Sequence, residues 1–189
     1  MRDAENAGPR LREAHQRAGW CLATEFLSES ICLEELPIQH VQGHYTEGYR
    51  LSNESKTLII ALMRGGEAMA FGVNEAFPRA AFLHAWKPND IMLHHVQDRS
   101  TVILVDSVVN SGKTAVRFVE HVRGLHATIS IFVVAGVVQD QVLSEPGPVL
   151  DAIHHAGTTV VALRLSSNTF TGKGTTDTGN RLFNTTHLP

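Results

Sequence analysis

The spacing of the hydrophobic residues changes along the chain. From Arg10 to Cys32 the apolar residues recur at helical spacing, which predicts an amphipathic helix. Residues 37–55 contain Pro, Gly, Asn and His, and they predict irregular structure or short hairpin pieces. Beyond residue 56 the apolar residues form short continuous runs. Runs of this kind are typical of strands that are buried on both faces of a sheet.

Strands and helices alternate in this second part of the chain. The predicted strands cover residues 57–63, 80–84, 101–105, 128–138 and 158–163. The predicted helices cover residues 67–77, 113–125 and 148–156. This order indicates an α/β fold, a mainly parallel sheet with helices on both faces and an N-terminal helical segment packed on it. Ligands of such sheets bind beyond the carboxyl ends of the strands, so we expect functional residues directly after each apolar run.

Composition and charge narrow the class of protein. With 189 residues, 43% of them hydrophobic and 19% charged, the chain predicts one domain over residues 10–189 after a disordered lead over residues 1–9. The formal net charge of -3 disfavours nucleic-acid binding, which needs a basic excess. The polar N-terminus predicts no secretory signal, and no apolar run has the length of a membrane span. Cys21 and Cys32 have neither zinc-site nor redox-pair spacing, so we expect a reduced, cytoplasmic protein.

The segment after the third of these runs carries the strongest functional signal. The strand 101–105 is followed by the carboxylate of Asp106, and a loop of small residues, 107–112, then leads into a helix. Backbone N–H groups at the start of a helix can bind a phosphate, and Ser111 and Thr114 would add hydroxyl donors. The pattern permits a ribose-and-phosphate site, the nucleotide-binding loop of an NTPase, or an ordinary strand-to-helix turn.

The NTPase alternative depends on the Walker A pattern, GxxxxGK[ST]. Residues 107–114 match its last three positions with Gly112, Lys113 and Thr114, but Ser107 stands where the pattern has its first glycine. No other predicted strand ends in a convincing magnesium-binding acid. The NTPase alternative is therefore disfavoured, whereas the ribose-and-phosphate site and the ordinary strand-to-helix turn both stay open.

Three segments resemble one enzyme family in the same order along the chain. Residues 105–114 resemble the motif with which type I phosphoribosyltransferases bind phosphoribosyl pyrophosphate (PRPP), in the form V-D-P-M-L-A-T-G-G-S of the uracil phosphoribosyltransferase family. Residues 63–69 are similar to the R-A-G-x-G-M segment of that family. Residues 169–185 are similar to its Y-x-x-P-G-x-G-D-A-G-D-R-x-F-G-T segment. The resemblance extends over residues 10–189.

The resemblance implies that the chain transfers the phosphoribosyl group of PRPP to uracil, giving UMP and pyrophosphate, as a homodimer or higher homo-oligomer. It implies catalytic roles for Arg64, Asp106 and Asp177, with Asp106 on the ribose hydroxyls and Asp177 on a Mg²⁺ ion. The residues that it implies for PRPP are Arg64, Gly65, Gly66, Asp106, Ser107, Val109, Asn110, Ser111, Gly112, Lys113 and Thr114. The residues that it implies for uracil are Phe170, Thr171, Gly174, Thr176 and Asp177.

The chain departs from the family in three places. Residues 84–86 run almost directly into residues 87–91, where the family has a longer excursion, so we expect a short or missing flap over the site. Asn180 replaces an acid, and Thr176 and Lys173 replace a glycine and a proline. A covering loop excludes water from a reaction. Its loss leaves one alternative open, a catalytically weak or inactive module that binds PRPP or a nucleotide for regulation or scaffolding.

Overall fold

The fold is that of an α/β protein, as the sequence predicts. A computed structural model describes residues 3–144, 148–169 and 172–187. The strands are β1 Leu33–Gln39, β2 Tyr45–Leu51, β3 Thr57–Leu62, β4 Ala81–Ala85, β5 Thr101–Val109, β6 Ser130–Gln139 and β7 Thr158–Ser166. The α-helices are α1 Gly8–Leu22, α2 Ser28–Ile31, α3 Glu67–Ala76, α4 Leu93–Val96, α5 Lys113–Leu125, α6 Asp140–Ser144, α7 Pro148–His155 and α8 Thr178–Leu182.

Five strands form a parallel sheet in the order β4-β3-β5-β6-β7, and β1 and β2 form a separate antiparallel pair. Both faces of the parallel sheet are covered. Ile59 and Ile103 pack on one face in a cluster that includes residues of α1 and α3. Ile60 and Leu104 pack on the other face in a cluster that includes residues of α5. Because successive strand residues enter opposite clusters, the apolar runs are continuous rather than alternating.

The N-terminal helix reaches the sheet by packing closely on α3. A Cβ atom on Gly19 of α1 would lie 2.0 Å from the carbonyl oxygen of Met69, and one on Gly72 of α3 would lie 1.8 Å from that of Gln16. Neither position has room for a side chain, so the two helices meet backbone to backbone. The contact places the first half of α1 beside the sheet edge at which ligands are expected.

The structure corrects two predicted boundaries. The helix predicted from Arg10 to Cys32 is not one regular helix, because α1 gives way to a π-helical turn, Ala23–Leu27, before α2. Strand β5 does not end at residue 105 but continues to Val109, because its pairing with β6 extends to Val109 and Val138. In the described part of the chain, no helix is long and apolar enough to cross a bilayer.

Candidate active site

The first two predicted site segments lie side by side because β3 and β5 are adjacent parallel strands. Their pairing ends with Ala61 opposite Val105, so both strands deliver their next residues to the same edge of the sheet. The hydroxyl of Ser107 donates a hydrogen bond to the carbonyl oxygen of Gly65 and joins the two segments directly. The sequence predicts that both segments follow apolar runs, but no pattern in it predicts this hydrogen bond between them.

Close packing explains both glycines of the first segment. A Cβ atom on Gly66 would lie 1.9 Å from the carbonyl oxygen of Val105, so no other residue allows the segment to lie against β5. A Cβ atom on Gly65 would lie 3.1 Å from Oδ1 of Asp106. Gly65 therefore leaves space in front of that carboxylate. The peptide bond between Met63 and Arg64 is cis.

Asp106 lies within β5 rather than in the loop beyond it, and its side chain is only partly exposed. Its Oδ1 accepts a hydrogen bond of 2.7 Å from its neighbour, the backbone N–H of Ser107. Burial raises the pKa of Asp106 from 3.8 to about 7, against the opposing effect of backbone hydrogen bonds from Ser107 and Val108. Near neutral pH the carboxyl is divided between its protonated and ionised forms. A bound hydroxyl donor or cation would favour the ionised form.

Residues 110–114 form the turn that starts α5. Gly112 has φ +70°, and a Cβ atom there would lie 2.6 Å from Cγ1 of Val149, so both the backbone angle and the packing require glycine. The side chains of Ser111, Lys113 and Thr114 are exposed around this buried glycine. The first N–H groups of a 13-residue helix lie here, in the arrangement that suits a phosphate.

The same geometry argues against the Walker A alternative. That motif needs its eight residues to form one loop around the phosphates. Here residues 107–109 belong to β5, with Val108 paired to Val137 of β6. Only the last part of the 107–114 segment is available as a loop, which is consistent with a single phosphate rather than a triphosphate.

The C-terminal segment meets the first segment through Arg64. Its guanidinium donates to Oδ1 of Asn180 at 2.7 Å and to Oγ1 of Thr185 at 3.4 Å. The hydroxyl of Thr185 also donates to Oδ1 of Asn180 at 2.9 Å. Asp177 accepts a hydrogen bond of 2.8 Å from the backbone N–H of Asn180 and so caps α8. Asn180, which replaces a family acid, therefore joins the C-terminal segment to Arg64 together with Thr185.

All three segments line one cavity of about 370 Å³, which we call the first cavity. Its lining residues are Met63, Arg64, Gly65, Trp86, Asp106, Ser107, Val108, Asn110, Gly172, Asp177, Thr178 and Gly179. Segments that are far apart in the sequence thus contribute to a single site. All three residues with a predicted catalytic role are among them.

Other predicted residues lie outside the first cavity. Gly66 and Gly112 are buried by packing, and the exposed residues of the 111–114 turn are not in its lining. Gly174 and Thr176, predicted to bind the base, are exposed and line no cavity that we describe. Phe170 and Thr171 lie outside the described residues, so their predicted contact with the base stays a prediction.

Trp86 lines the first cavity although its side chain is 65% exposed. It directly follows β4 and enters a short turn, Pro88–Asp90. Oδ2 of Asp90 accepts hydrogen bonds from the backbone N–H groups of Trp86 at 2.8 Å and Lys87 at 3.0 Å. Its position in the cavity lining favours contact with a ligand.

The donor set suits Mg²⁺ that arrives with a phosphate ligand. No group of three His, Cys, Asp or Glu residues that could hold a metal ion occurs within the described ranges. Asp106 and Asp177 are nevertheless two carboxylates in the lining of one cavity. Mg²⁺ is commonly held by one or two carboxylates together with water and substrate phosphates. These residues therefore fit a shared magnesium site better than an all-protein metal centre.

The sequence and the fold are similar to those of known proteins. The sequence matches the family described as uracil phosphoribosyltransferase over residues 1–185. The AQ2163 protein from Aquifex aeolicus has a similar structure, with a TM-score of 0.71 and 16% identity over 96% of this chain and 89% of that chain. A xanthine-guanine-hypoxanthine phosphoribosyltransferase from Helicobacter pylori is similar over 43% of this chain and 57% of that chain, with a TM-score of 0.35 and 16% identity. No curated protein matches the sequence.

Proposed function

The chain belongs to the uracil phosphoribosyltransferase family, and from this premise we propose that it transfers the phosphoribosyl group of PRPP to uracil. The bond between ribose C1′ and pyrophosphate breaks, the bond from C1′ to N1 of uracil forms, and the N1 proton is released. The products are UMP and pyrophosphate. The observation that carries the proposal is the convergence of three separate segments on the first cavity.

Different groups of the protein bind the ribose, the 5′-phosphate and the pyrophosphate of PRPP. The ionised form of Asp106 accepts hydrogen bonds from the ribose hydroxyls, and the N–H groups at the start of α5 bind the 5′-phosphate. Arg64 and the backbone of the glycine segment stabilise the charge that develops on the leaving pyrophosphate. Most of the catalysis is therefore positioning and electrostatic stabilisation, and the protein forms no covalent intermediate.

Asp177, together with Asp106, holds Mg²⁺ in this proposal. When bound, the ion supplies further neutralisation of the pyrophosphate charge. Asp177 already accepts the N–H of Asn180, so it is oriented by α8 before any ligand binds.

The test is UMP formation from labelled uracil and PRPP with Mg²⁺. We expect Asp106→Asn to remove most of the activity, because the amide cannot become a carboxylate for the ribose. Lys113→Ala should cost less, because Lys113 is exposed and outside the first cavity. Asp98→Asn is the matched control, since Asp98 is an exposed carboxylate away from that cavity. An equal or greater loss in Lys113→Ala would contradict the assignment.

A second candidate is a module that binds PRPP without transferring it. The specific observation in its favour is that β4 leads through Trp86 straight into the Pro88–Asp90 turn. A folded protein that binds PRPP in calorimetry, loses that binding in Asp106→Asn, and forms no UMP would favour this second candidate.

A further inference from the structure

The N-terminal turn, residues 3–6, lies against the C-terminal segment of the site. One terminal nitrogen of the Arg181 guanidinium donates to the backbone carbonyl oxygen of Asp3 at 2.7 Å and to that of Asn6 at 2.8 Å. These hydrogen bonds join residues 178 and 175 positions apart in the sequence, and no sequence motif predicts them. Arg181 therefore connects α8 to a part of the chain that the proposal above does not use.

The side chain of Asp3 closes this turn. Its carboxylate accepts hydrogen bonds from the backbone N–H of Glu5 at 2.9 Å and from the side-chain amide of Asn6 at 2.7 Å. The backbone N–H of Asn6 also donates to the carbonyl oxygen of Asp3 at 3.3 Å. The turn therefore presents both carbonyl oxygens to Arg181 in one defined arrangement.

Helix α8 needs contacts with other elements to hold its position. It has five residues, whereas isolated helices shorter than about 12–15 residues are marginal in water. Leu182 is buried with Leu11 and Ala68, and Arg12 of α1 donates to its carbonyl oxygen at 2.6 Å. These contacts fix α8 at a single residue. The hydrogen bonds of Arg181 to the N-terminal turn attach the helix on a further side and limit its rotation.

The position of α8 determines where Arg64 finds its acceptors. Arg181 directly follows Asn180, whose Oδ1 accepts the 2.7 Å hydrogen bond from Arg64. Successive residues of a helix point about 100° apart, so one side chain reaches Arg64 while the next reaches the N-terminal turn. The backbone N–H of Thr185, the second acceptor of Arg64, donates to the carbonyl oxygen of Asn180 at 2.9 Å. A shift of α8 would therefore move both acceptors.

We propose that Arg181 is a positioning residue of the transfer site: by attaching α8 to the N-terminal turn it fixes Asn180, which holds the guanidinium of Arg64 in place for pyrophosphate. The proposal rests on the proposed function for the role of Arg64 towards pyrophosphate. Arg181 is not in the lining of the first cavity, so it acts through Asn180. A side chain that is ordered before the ligand arrives loses less conformational freedom on binding.

Binding of inorganic pyrophosphate with Mg²⁺, measured by calorimetry, tests the proposal without turnover. We expect Arg64→Ala to weaken this binding by about tenfold or more, because a charged donor is lost. Arg181→Ala should weaken it by about two- to tenfold, the effect of ordering one flexible side chain only on binding. In Arg64→Ala protein the Arg181→Ala change should have no further effect, because no guanidinium is left to position. Arg181→Lys, which keeps a donor, should recover part of the affinity.

A substitution in the N-terminal turn guards against misfolding of the Arg181 variants. Asp3→Ala leaves Arg181 in place and removes the acceptor that closes the turn, at an exposed position. We expect a smaller loss of pyrophosphate binding in this variant, and no loss when Arg64 is already alanine. Glu5→Ala is the matched control, because Glu5 is an exposed acid of the same turn whose side chain has no hydrogen bond or ion pair among the described contacts. It should leave binding unchanged.

Three results would overturn the proposal. The first is an equal loss from Arg181→Ala with and without Arg64, because Arg181 would then not act through that residue. The second is unchanged binding in a folded Arg181→Ala protein or, if that variant does not fold, in Asp3→Ala. The third is an unsubstituted protein that binds no pyrophosphate, because Arg64 would then lack the role that Arg181 is proposed to support.

The outcomes separate this proposal from the proposed function. An effect of Arg181→Ala that depends on Arg64, in a protein that forms no UMP, supports the positioning role and refutes the transfer reaction. UMP formation together with independent effects of the two substitutions supports the transfer reaction and refutes the positioning role. If both are correct, Arg181→Ala lowers kcat/KM for PRPP and leaves the KM for uracil nearly unchanged.

Discussion

Replacing Asp106 by Asn should stabilise the folded protein above neutral pH while it removes activity. The native pKa of about 7 lies above the ordinary value of 3.8, so the folded state binds the proton more tightly than the unfolded state. The free energy of unfolding should therefore fall as the pH rises from about 4 to about 7. Above that range the ionised carboxylate destabilises the folded state by an amount of free energy that no longer changes with pH. The neutral amide of Asn has no such destabilising effect.

The magnitude follows from the two pKa values. Their difference is about three pH units, and each unit corresponds to about 1.4 kcal/mol, so the cost at pH 8 is at most about 4 kcal/mol. Oδ1 of the amide can still accept the 2.7 Å hydrogen bond from Ser107. For a chain of this length, a gain of that size would raise the Tm by about 8–16 °C.

Urea unfolding of both proteins between pH 4 and pH 9 is the assay. The difference in the free energy of unfolding should be near zero at pH 4, should grow with pH, and should become constant above pH 7. Asp98→Asn, a change at an exposed carboxylate, should show no such increase. An Asp106→Asn protein that is less stable at pH 8, or a difference that does not depend on pH, would refute the reasoning.

Three further predictions concern packing and hydrogen bonds. Gly66→Ala should lower the free energy of unfolding, measured in urea, by at least about 3 kcal/mol, because the new Cβ atom would overlap the backbone of β5. Gly124→Ala is the control: Gly124 lies inside α5 with open space around it, so this change should raise the free energy of unfolding by roughly 0.5–1 kcal/mol. Arg64→Ala should speed amide exchange in residues 178–185 by removing the hydrogen bonds to that segment, and unchanged exchange would contradict it. Arg123→Ala should lower the free energy of unfolding by about 2–3 kcal/mol, because three backbone carbonyls lose the guanidinium that donates to them. Full recovery of stability in Arg123→Lys would contradict the reasoning, because a lysine ammonium lacks the planar set of donors that the guanidinium provides.

The sequence predicts the sheet well because its signal is local. The runs around Ile59 and Ile103 are continuous, and such runs indicate strands buried on both faces whatever their order in the sheet. The short helices α4, α6 and α8 have too few residues to show a helical period, and they are absent from the prediction. The sequence predicts the end of β5 too early, because Asp106 interrupts the apolar run whereas the pairing of β5 with β6 continues past Asp106.

The site is predictable only in part, because sequence motifs report local patterns and not contacts between distant segments. The motifs identify Arg64, Asp106 and Asp177, which line the first cavity. They do not show that Asn180 holds Arg64, because that hydrogen bond joins residues 116 positions apart in the sequence.

The contact between Arg64 and Asn180 has an electrostatic consequence. A neutral amide orients the guanidinium without cancelling its charge, and no described residue forms an ion pair with Arg64. The guanidinium therefore keeps its full charge beside the carboxylates of Asp106 and Asp177, which line the same cavity. Attraction between this charge and an anion weakens as the ionic strength rises. A neutral amide at position 180 thus keeps the charge of Arg64 available to an anion, and anion binding at the first cavity should weaken as salt is added.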